Sequence, residues 1–275
     1  MKYTLWFGVM VLMEGMSLSV AAASDSDSSH VSLGGDGMLF LQDGVAFFTA
    51  PLHYSGSDWL RAGGVAGGTV LLMTTDQWVR DHAGRPVDGD YSDDAWDVPT
   101  FYGSGVCAFG LSLVTYAAGY FGGNDDIRIT GRLMVTSLTT AVIASSAAKF
   151  ILGRSRPSTG DGPWKFNWFE TEEAYNSMPS GHTTAAFAIS TVLAERINTV
   201  WARIGFYGLA TATGLARIRN DKHWTSDVFV GAMLGLTAGM SAVHREEERG
   251  SGDLSGNRWE IQASPGGLTV LYWLR

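Results

Sequence analysis

Six apolar stretches of helical length punctuate the chain, at residues 58–79, 104–122, 131–152, 183–197, 201–216 and 227–243. They are rich in Ala and Leu and lack the strict alternation of a half-buried strand, so they predict helices. Turn residues such as Gly122-Gly123-Asn124-Asp125 separate some of them. A chain of this kind buries its helices against one another, and the expected fold is an all-α bundle of about six helices. No internal repeat is visible.

The segments around the bundle differ in character. Lys2, the apolar run from Leu5 to Met13 and Ala21-Ala22-Ala23 read as a secretory signal peptide over residues 1–23. That places the mature protein outside the cytosol, most simply in a bacterial periplasm. Residues 24–57 read as an irregular arm, with Gly34-Gly35-Asp36-Gly37 as a turn and one short helix near 42–49. Residues 81–100 read as a long, solvated acidic loop whose spacing matches no standard calcium loop. The helical domain then covers 58–244. Residues 245–275 form a charged linker and a short C-terminal β-hairpin, alternating around Pro265-Gly266-Gly267.

Composition narrows the function classes. The net charge of −8 excludes the broad basic face that nucleic-acid binding needs. The single cysteine, Cys107, cannot form an intrachain disulfide and reads as a small core residue. Against the acidic background, the few clustered cations stand out.

Three clusters carry chemistry. In the first, Lys149 and Arg156 lie seven apart at the end of an apolar helix, and Pro157 ends that helix at Arg156. Arg154 is off that line and suits a structural role. In the second, Met178-Pro179-Ser180-Gly181-His182-Thr183-Thr184 opens a helix whose unpaired N–H groups and positive dipole end suit an anion. Ser180 adds a hydroxyl donor, Gly181 permits close backbone approach and His182 can hold or give a proton. In the third, Arg217 offers a fork for phosphate oxygens, and His223 and Asp227 lie four apart. On one helical face that carboxylate can accept from one imidazole nitrogen and leave the other free as nucleophile or base. Each cluster alone also fits a capped helix, snorkelling cations or a surface ion pair. Together they supply charge for equatorial oxygens, an in-line nucleophile and an acid, the inventory of phosphoryl transfer.

The pattern Lys-x6-Arg-Pro, Pro-Ser-Gly-His and Arg-x5-His-x3-Asp resembles the type 2 phosphatidic acid phosphatase family over about residues 58–243. That family shares its fold and site with bacterial class A acid phosphatases and vanadium-dependent haloperoxidases. Ala216 departs from the pattern, since the family usually has Ser before the Arg; one hydroxyl donor is lost. The resemblance implies a metal-independent, cofactor-free phosphoric monoester hydrolase. His223 attacks phosphorus to give a phosphohistidine, Asp227 orients it and His182 protonates the leaving oxygen, then activates water. Lys149, Arg156, Ser180, Gly181 and Arg217 hold the phosphoryl oxygens. Two imidazoles could bind zinc, but three fixed cations beside them repel a dication. The substrate is a phosphorylated lipid or a small phosphate ester, and the aromatic loop at 158–178, with Trp164, Phe166, Trp168 and Phe169, lines the entrance or closes a core.

Location stays open at this level. Several runs approach the ~17–25 residues that span a bilayer, but they carry many Gly, Ser and Thr, and Glu195, Arg196 and Arg203 crowd the ends of two. The six spans of the resembling lipid phosphatases lean the reading to the envelope membrane, with the site facing the periplasm. The competing readings are a vanadium haloperoxidase, for which the chain is short, and an idle phosphate-binding envelope protein. The second needs no oriented nucleophile.

Overall fold

A computed structural model describes residues 33–83, 94–251, 258–264 and 267–273. The signal peptide read in residues 1–23 lies outside them, as do residues 84–93 of the acidic loop. Eight α-helices occur among the described residues: α1 Leu33–Thr49, α2 Gly56–Ala83, α3 Asp94–Tyr102, α4 Gly105–Gly122, α5 Asp125–Leu152, α6 Gly181–Ile197, α7 Val200–Arg219 and α8 Thr225–Ser251. All six expected helices are among them. The C-terminal strands β1 Arg258–Ser264 and β2 Gly267–Trp273 pair antiparallel, as their alternation predicts.

The core lies where α5, α6, α7 and α8 meet. Leu133, Met134 and Leu138 of α5 pack with Ala186, Ile189 and Val192 of α6, Ala210 of α7 and Ala242 and Val243 of α8. The α6–α8 seam is unusually close. A Cβ on Gly231 would sit 2.7 Å from the Ser180 carbonyl oxygen, one on Gly235 2.5 Å from that of Thr184, and one on Gly239 2.5 Å from Thr191 Cβ. The Gly-x3-Gly-x3-Gly spacing on α8 is the sequence trace of that seam, because residues four apart share a helix face. It holds the start of α6 against the start of α8, where the second and third motifs lie.

The helices end on recognisable signals. Asn124 caps α5, its Oδ1 accepting from Ile127 N at 3.1 Å, and Gly153 ends α5 at φ 55°. A Cβ there would lie 1.7 Å from Asn167 O, so the turn into the aromatic loop accepts glycine alone. Thr199 caps α7 through Ala202 N.

Three expectations need correction. The arm read as irregular forms α1 over Leu33–Thr49, straight through the glycines read as a turn. Tertiary contact overrides their weak propensity: Asp36 and Asp43, seven apart on one face of α1, both reach buried arginines. Arg128 Nη1 donates to Asp36 Oδ2 at 2.7 Å, and Tyr116 Oη to the same oxygen at 2.8 Å. Asp43 takes Arg245 Nε at 2.8 Å and also pairs with Arg249. The same contacts explain the second difference, that α8 continues to Ser251 through the charged Arg245–Arg249 stretch instead of ending near Val243. Arg132 of α5 adds an ion pair at 2.6 Å to Glu246. Third, the described ends of the acidic loop are helical, α2 running to Ala83 and α3 starting at Asp94.

Candidate active site

The C-terminal ends of α2, α5 and α7 and the N-terminal ends of α6 and α8 meet at one end of the bundle. All three sequence clusters converge there. Lys149, in the last turn of α5, brings its Cε within 3.8 Å of where a Gly181 Cβ would stand, and its Nζ donates to Asn176 O at 2.5 Å. Lys149, Arg156 and Arg217 all act electrostatically on His182. Arg156, after the end of α5, donates through Nε to Glu173 O at 2.9 Å. Arg217, in the last turn of α7, is buried with Nε unpartnered, and no carboxylate among the described residues pairs with it. A buried guanidinium without an anion is costly unless one arrives from outside.

Ser180 is the N-cap position of α6 and is fully buried. Its N–H donates to Asp227 O at 3.0 Å, and its hydroxyl accepts from Thr183 Oγ1 at 3.0 Å. The peptide bond before Pro179 is cis. Gly181 and His182 form the first turn of α6, so their N–H groups belong to the helix's unpaired set.

His223 precedes α8, with Asp227 in the first turn of that helix. Their geometry differs from the direct bond expected. Nδ1 of His223 donates to Ser177 O at 2.8 Å, whereas Asp227 Oδ2 stands 3.7 Å away. The carboxylate is otherwise engaged: Oδ2 accepts from Ser177 Oγ at 2.5 Å and from Trp224 N at 2.8 Å, and Oδ1 from Arg154 Nη1 at 2.5 Å. Asp227 therefore reaches the imidazole mainly through Ser177, whose carbonyl fixes the proton on Nδ1 and leaves the lone pair on Nε2. Burial pushes His223 down to about 4; Lys149 and Arg156 act in the same sense and Asp227 opposes them. The ring is neutral at pH 7.

Arg154, assigned only a structural role in the sequence, proves central. It is fully buried and joins Asp227 to Asp76 of α2. Asp76 and Ser177 were not singled out as site residues, and Asp76 carries no local signal because its partners, Arg154 and Ser226, lie 78 and 150 positions away. The only trace of Arg154 is its place in Arg-Ser-Arg-Pro. On the aromatic loop, Phe166 stacks on Trp168 and lies under Arg154, while Trp164, Trp168 and Phe169 are exposed.

Three cations, two imidazoles and two helix starts gathered at one end of a helical bundle form an arrangement suited to an oxyanion. Residues 130–250 match the model of the PAP2 superfamily. It is 36% identical over 124 residues to a lipid A 1-phosphatase of Porphyromonas gingivalis, covering 43% of this chain and 25% of that protein. A second lipid A 1-phosphatase, from Rhizobium etli, is 30% identical over 110 residues, 38% of this chain and 45% of that protein. The chain thus spans less than half the length of these curated relatives. Among solved structures it resembles the transmembrane PAP2 type phosphatidylglycerolphosphate phosphatase of Bacillus subtilis. The TM-score is 0.53 at 18% identity, over 67% of this chain and 95% of that one, a likeness of fold.

Proposed function

We propose that the protein is a membrane-bound, metal-independent lipid phosphatase working through a phosphohistidine. The observation that carries this is the buried, unpaired Arg217 beside a neutral His223 whose Nε2 lone pair is free. The P–O bond to the leaving group breaks as Nε2 bonds to phosphorus, and His182, protonated once the substrate dianion is bound, gives its proton to the leaving oxygen. Water, deprotonated by His182, then attacks phosphorus, and the P–N bond breaks to release phosphate and restore His223. Lys149, Arg156, Arg217 and the Ser180–Gly181 helix start hold the oxygens, on which charge develops at the transition state. Asp227 and the Ser177 carbonyl face the Nδ1 side and stabilise the imidazolium character of the intermediate.

Membrane residence rests on several features. Three helices, α4, α5 and α8, are long and apolar enough to cross a bilayer. On α2, Trp59 and Trp78 are exposed and stand about 28 Å apart at ~1.5 Å per residue, close to a bilayer core of ~30 Å. Leu60, Val70 and Leu71 lie exposed between them. Trp78 shares the site's end with Trp164 and Trp168, and Trp59 shares the other end with Trp201 at the start of α7. Two aromatic belts of this kind mark membrane–water interfaces. The site then opens at one interface, facing the periplasm, where a lipid phosphate lies. The lipid A 1-phosphatase relatives favour lipid A as a substrate.

The test is hydrolysis of an aryl phosphate and of a lipid phosphate by purified protein, with an alkaline denaturing quench of labelled substrate to trap an alkali-stable, acid-labile phosphoenzyme. Wild-type protein turns over and traps label; His223→Ala does neither. Undiminished turnover by His223→Ala would overturn the reading.

A further inference from the structure

Asp76 is buried in α2, outside the segment that matches the superfamily model, and the mechanism above does not use it. Its Oδ2 accepts from Arg154 Nη2 at 2.8 Å and from Ser226 Oγ at 2.5 Å, and its Oδ1 from Ser226 N at 2.9 Å. Arg154 turns its other nitrogen, Nη1, to Asp227 Oδ1 at 2.5 Å and to Ser226 Oγ at 2.7 Å. Nε and Nη2 of Arg154 also donate to Pro163 O, at 2.9 and 2.6 Å. One guanidinium is thus shared between two carboxylates, and both side chains are wholly out of water.

We propose that Asp76 and Arg154 are positioning residues for the phosphatase reaction, with Asp76 balancing the Arg154 charge so that Asp227 keeps its negative charge for the reacting imidazole. The argument is electrostatic and geometric. A single guanidinium facing Asp227 alone in a low-dielectric interior would neutralise it, and little field would remain at His223. With Asp76 on its other side, the three groups together carry one net negative charge. Asp76 also fixes Ser226, the residue before Asp227, through both backbone and side chain. Asp227 in turn receives Ser177 Oγ, and the carbonyl of that same residue sits on His223 Nδ1, so the imidazole's orientation follows the Asp227 carboxylate. None of these contacts involves Lys149, Arg156 or Arg217. Removing Asp76 should therefore slow the chemical step and leave phosphate binding intact.

This proposal rests on the phosphohistidine reading, and the experiment separates the two. Full-length wild type, His223→Ala, Asp76→Asn and the double variant Asp76→Asn/Arg154→Gln are compared for kcat on an aryl phosphate and for inhibition by inorganic phosphate. Asp76→Asn is expected to lower kcat about 10- to 100-fold, by analogy with the loss of the hydrogen-bonding partners that orient a metal-bound imidazole, with the phosphate Ki within about threefold of wild type. The double variant removes both opposing charges and should regain part of the lost kcat, a non-additive pair. If Asp76→Asn does not fold, the double variant decides: a wild-type Ki with reduced kcat supports the proposal. A wild-type kcat, or a kcat and Ki that deteriorate together, overturns it while His223→Ala remains inactive. Retained turnover by His223→Ala overturns the phosphohistidine reading and this proposal with it.

Discussion

At residue scale the site is governed by which groups are left without partners. Arg217 has no carboxylate partner among the described residues, whereas Arg154, two residues before Arg156, is saturated. Both are arginines in the motif region, yet only the unpaired one can serve an incoming anion. Arg217→Lys keeps a charge but loses the planar fork, so the inorganic phosphate Ki should rise about tenfold or more, measured by competition against an aryl phosphate. His223 makes a second prediction. Its ring titrates near 6.5 when unfolded and near 4 when folded. Between those values only the unfolded chain binds the proton, so stability is complete above about 6.5 and declines as pH falls toward 4. Thermal melts across that window should show a falling Tm, with the slope reduced in His223→Gln. The same value places the acid limb of kcat/KM near pH 4, because protonated His223 has no lone pair on Nε2.

At the scale of elements, the geometry of the site depends on the distance between helix starts. The α6–α8 seam is glycine-lined so that Ser180 can reach the Asp227 carbonyl. In Gly235→Ala the added Cβ would meet the backbone oxygen of Thr184 at 2.5 Å, and a backbone cannot swing aside as a long side chain can. The expected cost is about 1–3 kcal/mol of stability, read as a lower melting temperature in detergent, with a fall in kcat as the helix starts separate. Alanine at Gly205 of α7, where nothing lies within 4 Å, is the matching control: it should leave kcat unchanged and the melting temperature unchanged or slightly raised, since alanine is the better helix former. Helix α1 shows the other side of this scale. Its glycine-rich start has poor propensity, and two carboxylates on one face, meeting arginines from α5 and α8, are what make it a helix of the bundle.

For the whole molecule, the proposed membrane residence rests on the exposed aromatic residues at the two ends of α2 and the exposed apolar faces of α4 and α7. Fractionation of expressing cells should leave activity in the membrane pellet, released by detergent but not by salt, with a lipid phosphate preferred over an aryl ester. Activity confined to the soluble fraction would contradict the membrane reading.

The helices and the convergence of three motifs were legible without coordinates, because apolar runs, prolines, glycines and charged side chains act locally. Lys149, Arg156, Ser180, Gly181, His182, Arg217, His223 and Asp227 stand out in the sequence by residue type and spacing. Tertiary structure alone decided what each charge faces. It diverted the Asp227 carboxylate to Ser177 and Arg154, gave His223 a carbonyl instead, brought Asp76 in from α2, and turned an apparent arm into α1. Pairing between distant buried charges depends on packing across the whole bundle, and a linear sequence holds no short-range record of it.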